Sequence, residues 1–137
     1  MAALLSPLDG FLERATARRF QWGVHDCALF VADWAIATRG ADPAAKWRGR
    51  YRTERGAFAI IRAAGGLEAL LDAGLAAIGG VRTEAPVRGD VGIVPVHTPE
   101  GRREGACAVA LGEGLWALPG GEGLRAVTAF AVAAWRL

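Results

Sequence analysis

The segment Trp22–Val31, which reads WGVHDCALFV, decides how the first half of this sequence is interpreted. Asp26 is a residue type that often caps helices, and apolar residues follow it at spacings of three and four. This spacing predicts a mostly buried helix that ends near Gly40 and carries Cys27 in its first turn. A helix N-terminus favours the thiolate form of a cysteine, so Cys27 is a candidate nucleophile, although free cysteines are also common as small buried apolar residues.

Three further helices are predicted on either side of this one. The first starts with Ser6 as its cap, has Pro7 in its first turn and runs to about Arg18. The third begins after Thr53 and stops at a pair of glycines, and the fourth, shorter one covers Leu67 to about Ala77.

After residue 86 the pattern changes to short β-favouring runs that are separated by glycine and proline. Helices followed by strands indicate an α+β fold, with N-terminal helices packed on a C-terminal antiparallel β-meander. The length of 137 residues suits a single domain spanning residues 1–137. The predicted strands are Val91–Val96, Ala106–Leu111, Leu115–Leu118 and Ala126–Leu137.

Composition argues against several classes of partner. The formal net charge is +2, and no run of basic residues marks a nucleic-acid surface. No apolar stretch approaches about 18 residues, and the first ten residues lack the features of a signal peptide. We therefore expect that the chain does not insert into a membrane and that it is retained in a cytoplasm. In that compartment Cys27 and Cys107 are expected to be free thiols. No metal-ligand spacing or phosphate-binding motif is present, and we expect neither metal nor cofactor.

Three motifs follow the order found in the NlpC-type branch of the papain-like peptidases. The helix start Asp26-Cys27 is followed by Arg88-Gly89-Asp90 before a strand, and then by a strand that ends in Leu111-Gly112-Glu113-Gly114. The chain resembles that family over residues 20 to 120. The resemblance implies a papain-like core in which Cys27 is the nucleophile. Members of the family cut bacterial cell-wall peptides, and one subgroup sits at the tips of phage tails.

Cysteine hydrolysis also needs a base and a group that orients the base. By resemblance, the base would stand at the beginning of the strand that leads into Leu-Gly-x-Gly, where this sequence has Ala106. The orienting group would lie on the next strand, in Leu115–Pro119, which offers no side chain able to hold an imidazole. His25, just before the helix, and His97, after the first long strand, are the alternatives for a base.

Two functions remain open. The missing base favours a structural or adaptor component of a phage tail tip, or of a related particle, built on a degenerate NlpC-type fold. The string His25-Asp26-Cys27, together with Gly49-Arg50-Tyr51, looks more like phage-tail members than like secreted wall hydrolases. Such a chain would be assembled in the bacterial cytoplasm, reside in the virion tail and contact other tail-tip or baseplate proteins. The alternative is an active cysteine endopeptidase that binds and cuts peptidoglycan peptides.

One segment has the composition of a protein contact. Trp, Tyr and Arg side chains supply much of the binding energy at interfaces, and they occur together at Trp47, Arg48, Arg50 and Tyr51. We expect Trp47 to be exposed and this segment to be an interface.

Overall fold

The structure, a computed structural model, describes residues 6–137, so the first five residues, on which the expectation of no signal peptide partly rests, lie outside it. The fold is α+β, with four helices followed by a six-stranded antiparallel sheet. The helices are α1 Pro7–Thr16, α2 Cys27–Arg39, α3 Glu54–Ala64 and α4 Leu67–Ala77. The strands are β1 Val81–Arg82, β2 Val91–His97, β3 Arg103–Gly112, β4 Leu115–Gly120, β5 Gly123–Thr128 and β6 Ala133–Arg136. Among residues 6–137, no helix has both the length and the apolar character needed to cross a membrane.

Local capping explains where the helices begin and end. The Ser6 hydroxyl accepts a hydrogen bond from the Asp9 N–H at 3.1 Å, and the Asp9 carboxylate accepts one from the Ser6 N–H at 3.3 Å. The Thr53 side chain caps α3 through the Gly56 N–H at 3.0 Å, and α3 ends at Gly65 in the left-handed conformation. All four predicted helices are confirmed, with ends that differ by two residues at most.

The sheet is more complex than the predicted meander. Its strand order is β1-β6-β2-β3-β4-β5, so β2 to β5 follow one another as expected, whereas β6 returns to pair with β2. The prediction of one strand over Ala126–Leu137 is therefore wrong. The chain pairs with β4 up to Thr128, leaves the sheet, and pairs with β2 from Ala133 onwards. The pairing of β1 with β6 was also not predicted, because β1 is only two residues long.

The short connection between β5 and β6 requires a curled sheet. In a flat sheet these strands would be four positions apart, or about 19 Å at the usual strand spacing. The five steps from Thr128 to Ala133 span at most about 18 Å when fully extended. The joined ends of the two strands are therefore closer than a flat sheet would place them, so the sheet is curved. The Trp116 ring on β4 accordingly reaches across to β2, where a Cβ on Gly92 would lie 2.9 Å from it.

The described residues form three apolar core clusters: one on each face of this sheet, and a third, around Leu29, Trp47 and Tyr51, between α2, the segment that follows it and α3. One face packs on α1, α2 and α4 through large side chains that include Phe30, Trp34 and Trp135. The other face encloses a second apolar cluster around Trp116 and Leu118. Cys27 packs against the clusters on both faces, so the first turn of α2 lies at the border between them.

Candidate functional site

A buried carboxylate fixes the start of α2. Asp26 is 1% exposed, and its two oxygens accept hydrogen bonds from the Leu29 N–H and the Gly23 N–H, both at 2.9 Å. The Tyr51 hydroxyl donates a third hydrogen bond to it. Burial, and then the bond to Asp26, raises the pKa of Tyr51, so its hydroxyl remains a donor at neutral pH. These three hydrogen bonds thus offset the unfavourable free energy of removing the carboxylate from water.

Cys27 is the first residue of α2, and the expectation that it lies in the first turn is confirmed. The largest effect on its pKa is hydrogen bonding from the Cys107 thiol, which lowers it; burial opposes this effect. The Cys107 and Ala28 backbone N–H groups also lower the pKa, whereas the charge of Asp26 raises it. The net result is a pKa below that of an ordinary cysteine, which favours the thiolate.

Cys27 opens into a mostly apolar pocket of about 190 Å³, here called the Cys27 pocket. An engineered cavity of about 150 Å³ is large enough to bind benzene, so this pocket can take one ring or a short aliphatic group. Asp26, Glu104 and Arg125 are its ionisable neighbours besides the thiol and Tyr51. Its walls include Phe20, Trp22, Trp47, Tyr51, Phe58 and Ile60.

Two further wall residues occupy the positions at which the resemblance would place catalytic groups. Ala106 on β3, the position expected for the base, is 7% exposed and lines the Cys27 pocket. Leu118 on β4, within the segment expected to hold the orienting group, lines the same pocket. The surroundings of the thiol are thus apolar at both positions.

Neither histidine belongs to the described wall of the Cys27 pocket. His97, at the end of β2, is exposed and is not part of the pocket wall. His25 is 2% exposed, packs edge-on against the Phe30 ring at 6.1 Å between centroids, and has no hydrogen-bond partner at either ring nitrogen. Its backbone closes a turn with Gln21 through hydrogen bonds of 2.8 and 2.9 Å. His25 is a packing residue in this structure. Within residues 6–137, no group of three or more His, Cys, Asp or Glu side chains is arranged to hold a metal ion.

The expectation that Trp47 is exposed is wrong. Trp47 and Tyr51 are each 8% exposed, and both belong to the wall of the Cys27 pocket. Arg48 is held by ion pairs to Asp33 at 2.9 Å and Asp42 at 2.8 Å, and Arg50 alone of the four residues points to solvent. Large aromatic side chains stabilise a fold more when they are buried than when they are exposed. Here these side chains form one side of the pocket.

Sequence reasoning missed two partners in this site. Tyr51 reaches Asp26 from a segment outside any helix or strand, and no local pattern signals that contact. Cys107 is the other partner, and it is fully buried on β3 directly beside Ala106. Its position one residue after the expected base was visible in the sequence, but the side of the strand that it faces was not.

Comparison with protein families gives one match. The model of DUF6950, a domain of unknown function, matches residues 4–137. The chain belongs to this family. Comparisons with curated proteins and with solved structures give no match.

The hydrogen bond from Tyr51 to Asp26 generates a stability prediction. Tyr51→Phe keeps the ring but removes the hydroxyl, so the buried carboxylate loses one of three donors. We expect the free energy of unfolding in urea to fall by about 1.5–3 kcal/mol, as is usual for hydrogen bonds to charged groups. In the Asp26→Asn background, Tyr51→Phe should lower the free energy of unfolding much less, because the hydroxyl no longer bonds to a charged group. Equal costs in both backgrounds would contradict the role assigned to this contact.

His25 generates a prediction about pH. Burial is the main cause that lowers its pKa below 6.5, with Arg18 adding to the effect and Asp33 and Asp26 opposing it. The unfolded chain therefore binds a proton at higher pH than the folded chain. The contribution of neutral His25 to the free energy of unfolding is fully present above about pH 6.5 and is lost as the pH falls towards the folded pKa.

Between about pH 7.5 and 5, we expect the free energy of unfolding to decrease less in His25→Phe than in the wild type. His97→Gln, at an exposed histidine, is the matched control. Urea unfolding at several pH values measures both. An unchanged slope in His25→Phe would show that His25 titrates alike in the folded and unfolded chains.

Proposed function

We propose that this domain is a non-hydrolytic structural or adaptor subunit of a phage tail tip, or of a related particle, built on a degenerate NlpC-type, papain-like core. One observation carries the proposal. Cys27 stands at a helix start and lines a pocket together with Ala106 and Leu118, the residues at the positions of the missing base and in the segment of the missing orienting group. A positioned general base typically contributes about 100- to 10,000-fold to a reaction rate, so the loss of both groups argues against efficient hydrolysis.

The second candidate, an active cysteine endopeptidase on peptidoglycan peptides, has one observation in its favour. The pKa of Cys27 is lowered, which supports a nucleophilic thiolate. A thiolate can attack a peptide carbonyl, but the leaving amine must then receive a proton. The described pocket wall offers no imidazole for that transfer, and therefore we rank this function second.

An adaptor needs a contact surface, and the sheet offers one away from the Cys27 pocket. Phe130 is 98% exposed, and Leu115 and Val132 are 41% and 64% exposed. These three side chains, called the Phe130 surface below, line one open cleft of about 720 Å³. Exposed apolar groups that cluster in this way are typical of protein contacts. We propose that another subunit of the particle docks here, in place of the Trp47–Tyr51 segment that the sequence favoured.

The hydrolase alternative predicts cleavage that depends on Cys27, whereas our proposal predicts none. Purified chain is incubated with peptidoglycan tetrapeptides, and the products are followed by mass spectrometry against Cys27→Ala. We expect identical traces for the two proteins. Cleavage by the wild type that Cys27→Ala abolishes would overturn the adaptor proposal in favour of the enzyme.

A second experiment tests the papain-like arrangement by placing a histidine at the position expected for the base. Ala106→His should increase the rate of Cys27 alkylation by iodoacetamide at pH 6, because an imidazolium beside the thiol stabilises the thiolate. Ala106→Asn introduces a polar side chain of similar reach without that charge and is the matched control. Equal rates for the two variants would contradict the assignment of Ala106 to the position of the base.

The Phe130 surface gives a test of assembly. The tagged chain is expressed in its own host, phage-like particles are separated on a density gradient, and the chain is quantified in the particle fraction. We expect the wild type to sediment with the particles and Phe130→Asp to be reduced at least tenfold, because a desolvated aspartate opposes the contact. Val24→Asp, at a residue 48% exposed outside that cleft, is the control. Wild-type chain absent from the particles would contradict the adaptor function, and normal incorporation of Phe130→Asp would contradict this surface.

A further inference from the structure

The two cysteines of the chain come together although they are far apart in sequence. Cys27 starts α2, and Cys107 lies in β3, the strand against which α2 packs most extensively. Cys107 belongs to the apolar cluster against which Cys27 packs, and Gly105 and Ala106, which precede it, line the pocket into which Cys27 opens. Both side chains are free thiols. The fold therefore packs two free thiols from separate elements into one apolar cluster.

The two thiols differ in access. Cys27 is half-buried and lies in the wall of an open pocket, whereas Cys107 is 0% exposed. A small oxidant that enters the pocket can therefore reach Cys27, whereas Cys107 is not part of the pocket wall. Redox-sensing cysteines commonly have this arrangement, in which an accessible thiol of low pKa is followed by a second thiol that resolves its oxidised form.

We propose that Cys27 is an oxidation site for hydroperoxides and that the product is an intramolecular disulfide with Cys107. In the first step the Cys27 thiolate attacks the outer oxygen of the peroxide, the O–O bond breaks, the leaving oxygen takes a proton as an alcohol or water, and Cys27 becomes a sulfenic acid. In the second step the Cys107 sulfur attacks the Cys27 sulfur and the S–O bond breaks. Hydroxide leaves and takes the Cys107 proton as water. Two thiols lose two electrons in total, and one peroxide gains them.

The electrostatics of the pair agree with this order of steps. Hydrogen bonding from Cys107 is the largest cause that lowers the pKa of Cys27, and the Ala28 N–H at the helix start adds to it, so Cys27 is the thiol that more readily forms the thiolate. The neighbouring Cys27 sulfur and burial raise the pKa of Cys107, which keeps Cys107 protonated beside the Cys27 thiolate. Oxidation of Cys27 to a sulfenic acid removes that negative charge, and Cys107 can then give up its proton to the leaving hydroxide as it attacks. The site requires no imidazole, and for that reason it does not depend on the proposed adaptor function or on the hydrolase alternative.

The test uses the full chain and hydrogen peroxide. Reduced protein is treated with a small excess of peroxide at pH 7, denatured in N-ethylmaleimide, and analysed by intact mass and by peptide mapping. We expect the wild type to lose two hydrogens, to take up no N-ethylmaleimide, to yield a linked peptide pair containing Cys27 and Cys107, and to recover both thiols in dithiothreitol. Cys107→Ser should stop at a sulfenic acid on Cys27 that dimedone traps, and Cys27→Ser should keep its remaining thiol.

The wild-type sample decides the proposal even where a variant does not fold. Three results would overturn it: sulfinic or sulfonic acid on Cys27 beside a free Cys107, a disulfide between two chains, or two intact thiols at a peroxide dose that oxidises free N-acetylcysteine. The last result would mean that the pair is packed as two small apolar residues. Disulfide bonds require Cα atoms within about 7 Å, and the linked peptide therefore also reports on that distance.

Discussion

The carboxylate of Asp26 is the group on which the rest of the site depends. It is nearly inaccessible to water, and it binds the turn before α2, the first turn of α2 and the segment that carries Tyr51. A charge at this depth is tolerated only while its donors remain in place. The position of Cys27, the adjacent residue, is therefore determined by hydrogen bonds that join three separate parts of the chain.

The parts of the fold that sequence reasoning predicted are those with local causes. Helix α1 begins where Ser6 and Asp9 satisfy each other's backbone groups, and α3 ends where Gly65 adopts a left-handed conformation, so a few neighbouring residues are enough to predict these boundaries. The break between β5 and β6 has no such local signal. The break arises because β6 pairs with β2, which lies more than thirty residues earlier in the chain.

The same distinction applies to the site. The helix start at Cys27 and the apolar residue at position 106 could be read from motifs, and the structure places both in one pocket. Trp47 could not be assigned correctly, since the residue types that bind partners also fill cores, and composition does not distinguish the two. The pairing of Cys27 with Cys107 depends on how α2 lies across β3. That geometry is a property of the whole fold, and no local pattern in the sequence predicts it.

The short connection between β5 and β6 has a mechanical consequence. Its backbone is fastened at one end to Gly114 and at the other to Ile93, through the Ala129 N–H at 3.0 Å and the Val132 N–H at 2.8 Å. Phe130 stands between these two anchors. The loop is thus held at two separate places in the sheet, the turn between β3 and β4 and strand β2. The loop that carries Phe130 can therefore leave the sheet only if at least one of these two backbone hydrogen bonds breaks.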